Sequence, residues 1–181
     1  MIKFNFIKNF FLTILIIVFL INYAQAKCNF GIKIGDNVTK LKKELINIDN
    51  DDSVLVNIYA SALNICPNEN FDKNININFT FIENELASIR VIVNNGKDNI
   101  TSNKLLLMNY AKENYGDFKT GQNPKAYNYF NVWKNIDEII VYKRIINKFK
   151  IIEEEIFITN KTYNQKIKKI NQEIELGRIR N

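Results

Sequence analysis

The chain has 181 residues, 46% of them hydrophobic, with 25 Lys and Arg against 19 Asp and Glu for a net charge of +6, and no histidine. Without an imidazole there is no Ser-His or Cys-His nucleophile, no His-ligated zinc and no imidazole proton shuttle. The six glycines fall in neither Gly-x-Gly-x-x-Gly nor Walker spacing, which excludes the common phosphate loops.

Asn, Ile and Lys dominate the composition at the expense of Ala, Gly and Pro, the codon signature of an AT-rich genome. That bias discounts patterns built on Asn or Lys, including Asn-x-Thr sequons at Asn37, Asn78, Asn99 and Asn160.

Residues 1–26 carry the layout of a secretory signal peptide. Lys3 and Lys8 precede an apolar run over residues 10–21, and Ala24-Gln25-Ala26 supplies small residues two apart. The run holds 12 residues, against about 20 for a membrane-spanning helix. Cleavage is therefore predicted after Ala26, releasing residues 27–181 to the periplasm or the exterior as one α+β domain with a C-terminal helix and a basic tail. Retention of the segment as an anchor is the alternative, and Lys27 before Cys28 speaks against a lipoprotein signal.

Loss of Lys3 and Lys8 leaves 23 basic against 19 acidic residues, a net +4, and residues 161–181 alone account for +4. The body is neutral and the tail basic. A nucleic-acid partner is not expected, because such proteins carry their basic residues across the domain face.

Cys28 and Cys66, the only cysteines, follow the leader and allow one intramolecular pairing. Closing that loop is worth roughly 4 kcal/mol in the chain-entropy treatment.

Beyond Cys28, Gly31 and Gly35 bracket a short extended piece. Asp36 or Asn37 then caps a helix whose apolar positions are Val38, Leu41, Leu45 and Ile48. Asp49-Asn50-Asp51-Asp52 closes it without the Gly and Glu that an EF-hand loop requires. Residues 54–60 predict a buried strand, and residues 61–72 an irregular stretch. Ile75, Ile77, Phe79 and Phe81 alternate with Asn and Thr, a period of two. After a turn at Glu83-Asn84-Glu85, Ala87, Ile89, Val91 and Val93 form the inward face of a return strand, with Ser88 and Arg90 outward.

A second helix runs from a cap at Thr101 or Ser102 to Tyr115, with Gly116 as its C-cap. The loop 117–125 leads into strands over 127–133, 138–146 and 149–158, whose short turns predict an antiparallel meander. The last helix covers 161–175, with Thr162 and Gln165 at capping-box spacing and a seam of Tyr163, Ile167, Ile170 and Ile174.

The order predicts an α+β fold: antiparallel sheet with packed helices, arranged as tandem α-β-β-β halves plus a C-terminal helix. With its Gly-x-x-x-Gly-Asp opening from Gly31 and its Tyr115-Gly116 helix end, the pattern resembles, at the level of fold, the outer-membrane assembly lipoprotein domain and the tandem-repeat β-lactamase inhibitor proteins. The resemblance implies a small envelope module and transfers no functional residue.

Two groups of residues bear on chemistry. Glu154 shares a strand face with Ile152, Ile156 and Ile158; a carboxyl buried there would titrate high and could serve a glycan-cleaving pair. Against that stands simple pairing with Lys143, Arg144 or Lys150 across the meander. Tyr127, Tyr129 and Trp133 share one strand face and Phe130 takes the other. The trio is the candidate partner-binding group if exposed, and core if covered. The basic tail offers at most a weak contact with anionic lipid, beyond the transient membrane contact of the leader.

Together these features point to an exported, non-enzymatic binding protein of the cell envelope, with no cofactor or metal and with an envelope protein or polymer as partner. A carboxylate-dependent hydrolase of envelope glycan is the alternative.

Overall fold

A computed structural model describes residues 27–41, 54–93, 105–148 and 151–177. The predicted leader, the helical positions 42–48, the acidic loop and the cap at Thr101 or Ser102 lie outside the described residues. Six strands form one antiparallel sheet: β1 (Leu55–Ser61), β2 (Ile75–Ile82), β3 (Glu85–Val93), β4 (Tyr129–Lys134), β5 (Ile139–Ile146) and β6 (Ile152–Thr159), in the order β1-β2-β3-β6-β5-β4. Each half is a three-strand meander, and the halves meet where β3 pairs with β6. The expected α+β class with tandem three-strand units is thus realised as a single continuous sheet.

Local chemistry explains the first meander. Its period-two apolar face pairs Phe79 with Ile89 and Ile77 with Val91. Only Glu83 and Asn84 separate the strands, both at positive φ (52° and 66°), the geometry of a type I′ hairpin turn whose twist matches the strands. A bulge follows, Thr80 facing Ser88 and Phe81 facing Leu86, so that Ala87 is the extra residue.

One face of the sheet is sealed. Helix α2 (Leu106–Tyr115) lays Leu107, Met108, Tyr110 and Ala111 against it; α1 (Ala62–Ile65), a single turn inside the stretch expected to be irregular, closes the β1 end. The disulfide Cys28–Cys66, with Cα atoms 5.3 Å apart, ties the N-terminal segment to the end of α1. Gly116 ends α2 at φ 112°, and a Cβ there would come within 3.5 Å of the Trp133 indole nitrogen. That distance is ordinary van der Waals contact, so it is the positive φ that calls for glycine there.

The other face carries α3 (Lys161–Glu175), whose bounds match the sequence expectation. Its cap differs: Asn160, in extended conformation, accepts the Tyr163 N–H through its side chain, in place of the Thr162 capping box. Tyr163, Ile167, Ile170 and Ile174 pack on Leu55, Ile82 and Ala87, which confines the helix to the first meander. Tyr163 also donates its hydroxyl to Glu85 at 2.5 Å.

The N-terminal segment departs from expectation. Gly35 N–H donates to Leu86 C=O, Leu86 N–H to Asp36 C=O and Val38 N–H to Asn84 C=O, each at 2.8 Å. Leu86 thereby occupies the Asp36 carbonyl, the acceptor that the first turn of a helix capped there would use. What forms is one 3₁₀ turn, Val38–Lys40, capped by Asn37 and ending in extended geometry at Leu41.

Candidate functional site

The aromatic trio divides. Trp133 is half-buried on the α2 face, edge-on to Phe118 at 5.5 Å and tilted against Tyr115 at 5.7 Å. Tyr127 precedes β4 and stacks on Tyr142 at 6.1 Å, with Phe118 edge-on at 5.5 Å. Both therefore belong to the margin of the core. Tyr129 is 62% exposed on the edge strand and stacks on Phe130 with centroids 4.6 Å apart. The difference follows from the 3₁₀ turn Pro124–Ala126, which delivers Tyr127 before the strand begins.

Glu154 stands directly opposite Arg144 in the β5–β6 register. Both are only 1% exposed, and the Tyr142 hydroxyl donates to Glu154 Oε1 at 2.6 Å. Burial pushes the Tyr142 phenol far up, the Glu154 charge adds to that, and Arg144 opposes it. A general acid must reach a reacting atom; Glu154 is enclosed with opposite charge and a phenol instead. The neighbouring Glu155 points to the other face of the same strand, so the two glutamates do not form a pair across a shared cleft.

That other face is the open one. In register across the sheet run Tyr59, Asn78, Arg90, Phe157, Val141 and Val132. At the α3 end of this row lies a groove of about 420 Å³ bordered by Asn57, Ser88, Arg90, Phe157 and Asn171. Arg90 donates Nε to Glu155 Oε2 at 3.1 Å and adds an ion pair through Nη2. Lys143 pairs with Glu155 Oε1 at 3.1 Å. Burial tends to raise the Glu155 pKa, but Arg90 and then Lys143 outweigh it and hold the carboxyl below its ordinary value. Beyond the groove, Phe130 is 48% exposed, and Val141 and Ile145 of β5 are half-buried.

Sequence reasoning places Ser88 and Arg90 outward but does not gather these residues, because they come from β1, β2, β3, β6 and α3. The available signal is Phe157, a large aromatic on the side of β6 opposite Ile156 and Ile158.

Among the described residues, no helix is long and apolar enough to cross a membrane, and no group of three or more His, Cys, Asp or Glu could hold a metal. No protein-family model, characterised protein or solved structure matches the chain.

Proposed function

We propose that the protein is an exported, non-enzymatic binding protein of the cell envelope that engages its partner through the α3-bearing face of the sheet. The observation that carries this is that α3 reaches across this face only as far as the groove at Arg90 and Phe157, while Val141 of β5 and Val132 and Phe130 of β4, farther along, have no described element over them. Interior strands of a sheet ordinarily have both faces packed or one face polar. Here apolar side chains stand beside an ion cluster of Arg90, Glu155 and Lys143, the mixed composition of a protein-surface binding patch. Export draws its support from the leader pattern in residues 1–26 and from Cys28, which follows the expected cleavage point closely and is bonded to Cys66.

The test has two parts. Expressed in a bacterium, the full chain should be recovered outside the cytoplasm with Lys27 as its first residue by N-terminal sequencing. The recovered protein should co-sediment with an isolated envelope fraction, and Phe130→Ser with Val132→Ser should lessen that association without lowering the melting temperature by more than a few degrees. Cytoplasmic retention, or sedimentation indifferent to the double change, overturns the reading.

A further inference from the structure

We infer that the groove between α3 and the sheet is a binding site for a neutral saccharide. The inference rests on the open face being the binding surface and names the chemistry of what it holds.

Size and shape come first. A volume of about 420 Å³ lies in the range of small-molecule sites, about 300–1,000 Å³. The floor is a sheet and one wall is a helix, so the groove is built on regular elements and keeps its geometry before a ligand arrives.

Charge then narrows the class. Three ionised groups stand at one end, where two cations, Arg90 and Lys143, share the one carboxylate of Glu155 and leave a net +1. Both oxygens of Glu155 are engaged, Oε2 by Arg90 and Oε1 by Lys143. An anionic ligand gains only that residual charge, because both cations already bond Glu155, and a cationic one meets two cations. A ligand of hydroxyl groups adds hydrogen bonds to the cluster without undoing it, and bonds to charged groups are the stronger kind.

The remaining polar groups are carboxamides and hydroxyls, each able both to donate and to accept, as sugar hydroxyls do. Asn57 is held in place: its Oδ1 accepts the Thr80 hydroxyl at 2.9 Å and the Asn78 amide at 3.4 Å. Asn57 and Asn171 are exposed on opposite sides of the groove, one on β1 and one on α3. Asn78, opposite Arg90 in the register and bonded to Asn57, is 2% exposed and keeps its own Oδ1 without a hydrogen-bond partner, an acceptor beside the groove residues that a hydroxyl or a water can satisfy. Phe157 supplies an apolar ring at the same level, and aromatic lining with a few fixed polar groups is the usual composition of such sites.

The experiment is a titration of the isotope-labelled secreted chain, followed by the side-chain amide signals of Asn57 and Asn171. Chitobiose is the neutral probe; digalacturonate and inorganic phosphate are the anionic ones. Chitobiose should shift both amides saturably, and the anions should do so only at higher concentration. Asn171→Leu, on an exposed helix position, should weaken chitobiose about tenfold, equivalent to about 1.4 kcal/mol, and Phe157→Leu should weaken it as well, with melting temperatures near that of the wild type. Absence of saturable shifts with chitobiose overturns the inference, as does tighter binding of phosphate or digalacturonate. Envelope co-sedimentation separates the two proposals. If Asn171→Leu leaves it intact while Phe130→Ser with Val132→Ser abolishes it, the saccharide assignment falls and the open-face reading stands.

Discussion

The two meanders of the sheet differ in what they bury. Strands β1 to β3 carry only Glu85 and Arg90 as charged residues, whereas β4 to β6 carry Lys134, Lys143, Arg144, Glu153, Glu154 and Glu155. In β2 all positions but Asn76 are buried, and in β4 none is. The cause is coverage: α3 and the N-terminal segment close the second face of the first meander, and no described element does so for the other. Adjacent glutamates of β6 show the consequence most sharply. Glu154 faces the sealed side and is enclosed with Arg144 and Tyr142; Glu155 faces the open side and is shared between Arg90 and Lys143. A charge in this fold is structural or available according to which way one strand residue points.

Substituting the sealed charges gives the largest expected effect. Glu154→Leu leaves Arg144 buried against apolar neighbours and should cost about 3–5 kcal/mol in urea unfolding, while Arg144→Met with Glu154→Leu should recover most of that loss. An equal loss in the double variant would mean that the two charges do not offset each other. Next comes the disulfide: Cys28→Ala with Cys66→Ala should cost about 2–4 kcal/mol, visible as a lowered melting temperature. Trp133→Ala should then cost about 2 kcal/mol, since the indole packs on Tyr115 and Phe118. Tyr129→Ser should stay within about 0.5 kcal/mol, because its ring lies at the open edge. Equal effects from those two would erase the contrast between sealed and open aromatics.

Much of this arrangement is legible in the chain, for identifiable reasons. Alternation at Ile75 to Phe81 fixes a strand because one face is apolar without interruption, and the pairing of Cys28 with Cys66 needs only their number. The bounds of α3 follow from its seam, although the capping oxygen turns out to belong to Asn160 and not to Thr162. Period-two counting also puts Glu154 on the apolar face. Its environment is not legible, because Arg144 comes opposite only once the β5–β6 register is known. The short N-terminal turn is missed for a similar reason: competition for the Asp36 carbonyl comes from Leu86, in a hairpin some 50 residues away. The groove is the least legible of all, since none of its residues is unusual within its own segment.

Two smaller measurements sharpen the comparison further. Glu155 titrates below its ordinary value in the folded protein, so its contribution is present above about pH 4.3, the unfolded carboxyl value, and is lost as pH falls through the lower folded one. Glu155→Gln should therefore cost about 1 kcal/mol at pH 7 by urea unfolding, with a difference from wild type that shrinks toward pH 3. A difference that persists in acid would assign the loss to packing. Smallest is the hairpin: Glu83, at φ 52°, occupies a position that Asn tolerates better. Glu83→Asn should raise stability by about 0.5 kcal/mol, measured by thermal unfolding.

The seam between the meanders also sets the order of events in folding. Every other strand pairing joins neighbours in sequence through hairpins or a short excursion, but β3 meets β6 only through Ile89 with Ile158, Arg90 with Phe157, Val91 with Ile156 and Ile92 with Glu155. These four pairs close a loop of more than 60 residues. Each meander can assemble from local contacts, whereas their union must overcome the full loop-closure entropy before any seam contact forms. The topology therefore puts the expected rate-limiting step of folding at the seam. Truncations there, such as Val91→Ala or Ile156→Val, should slow refolding, whereas changes in the outer strands should act on unfolding.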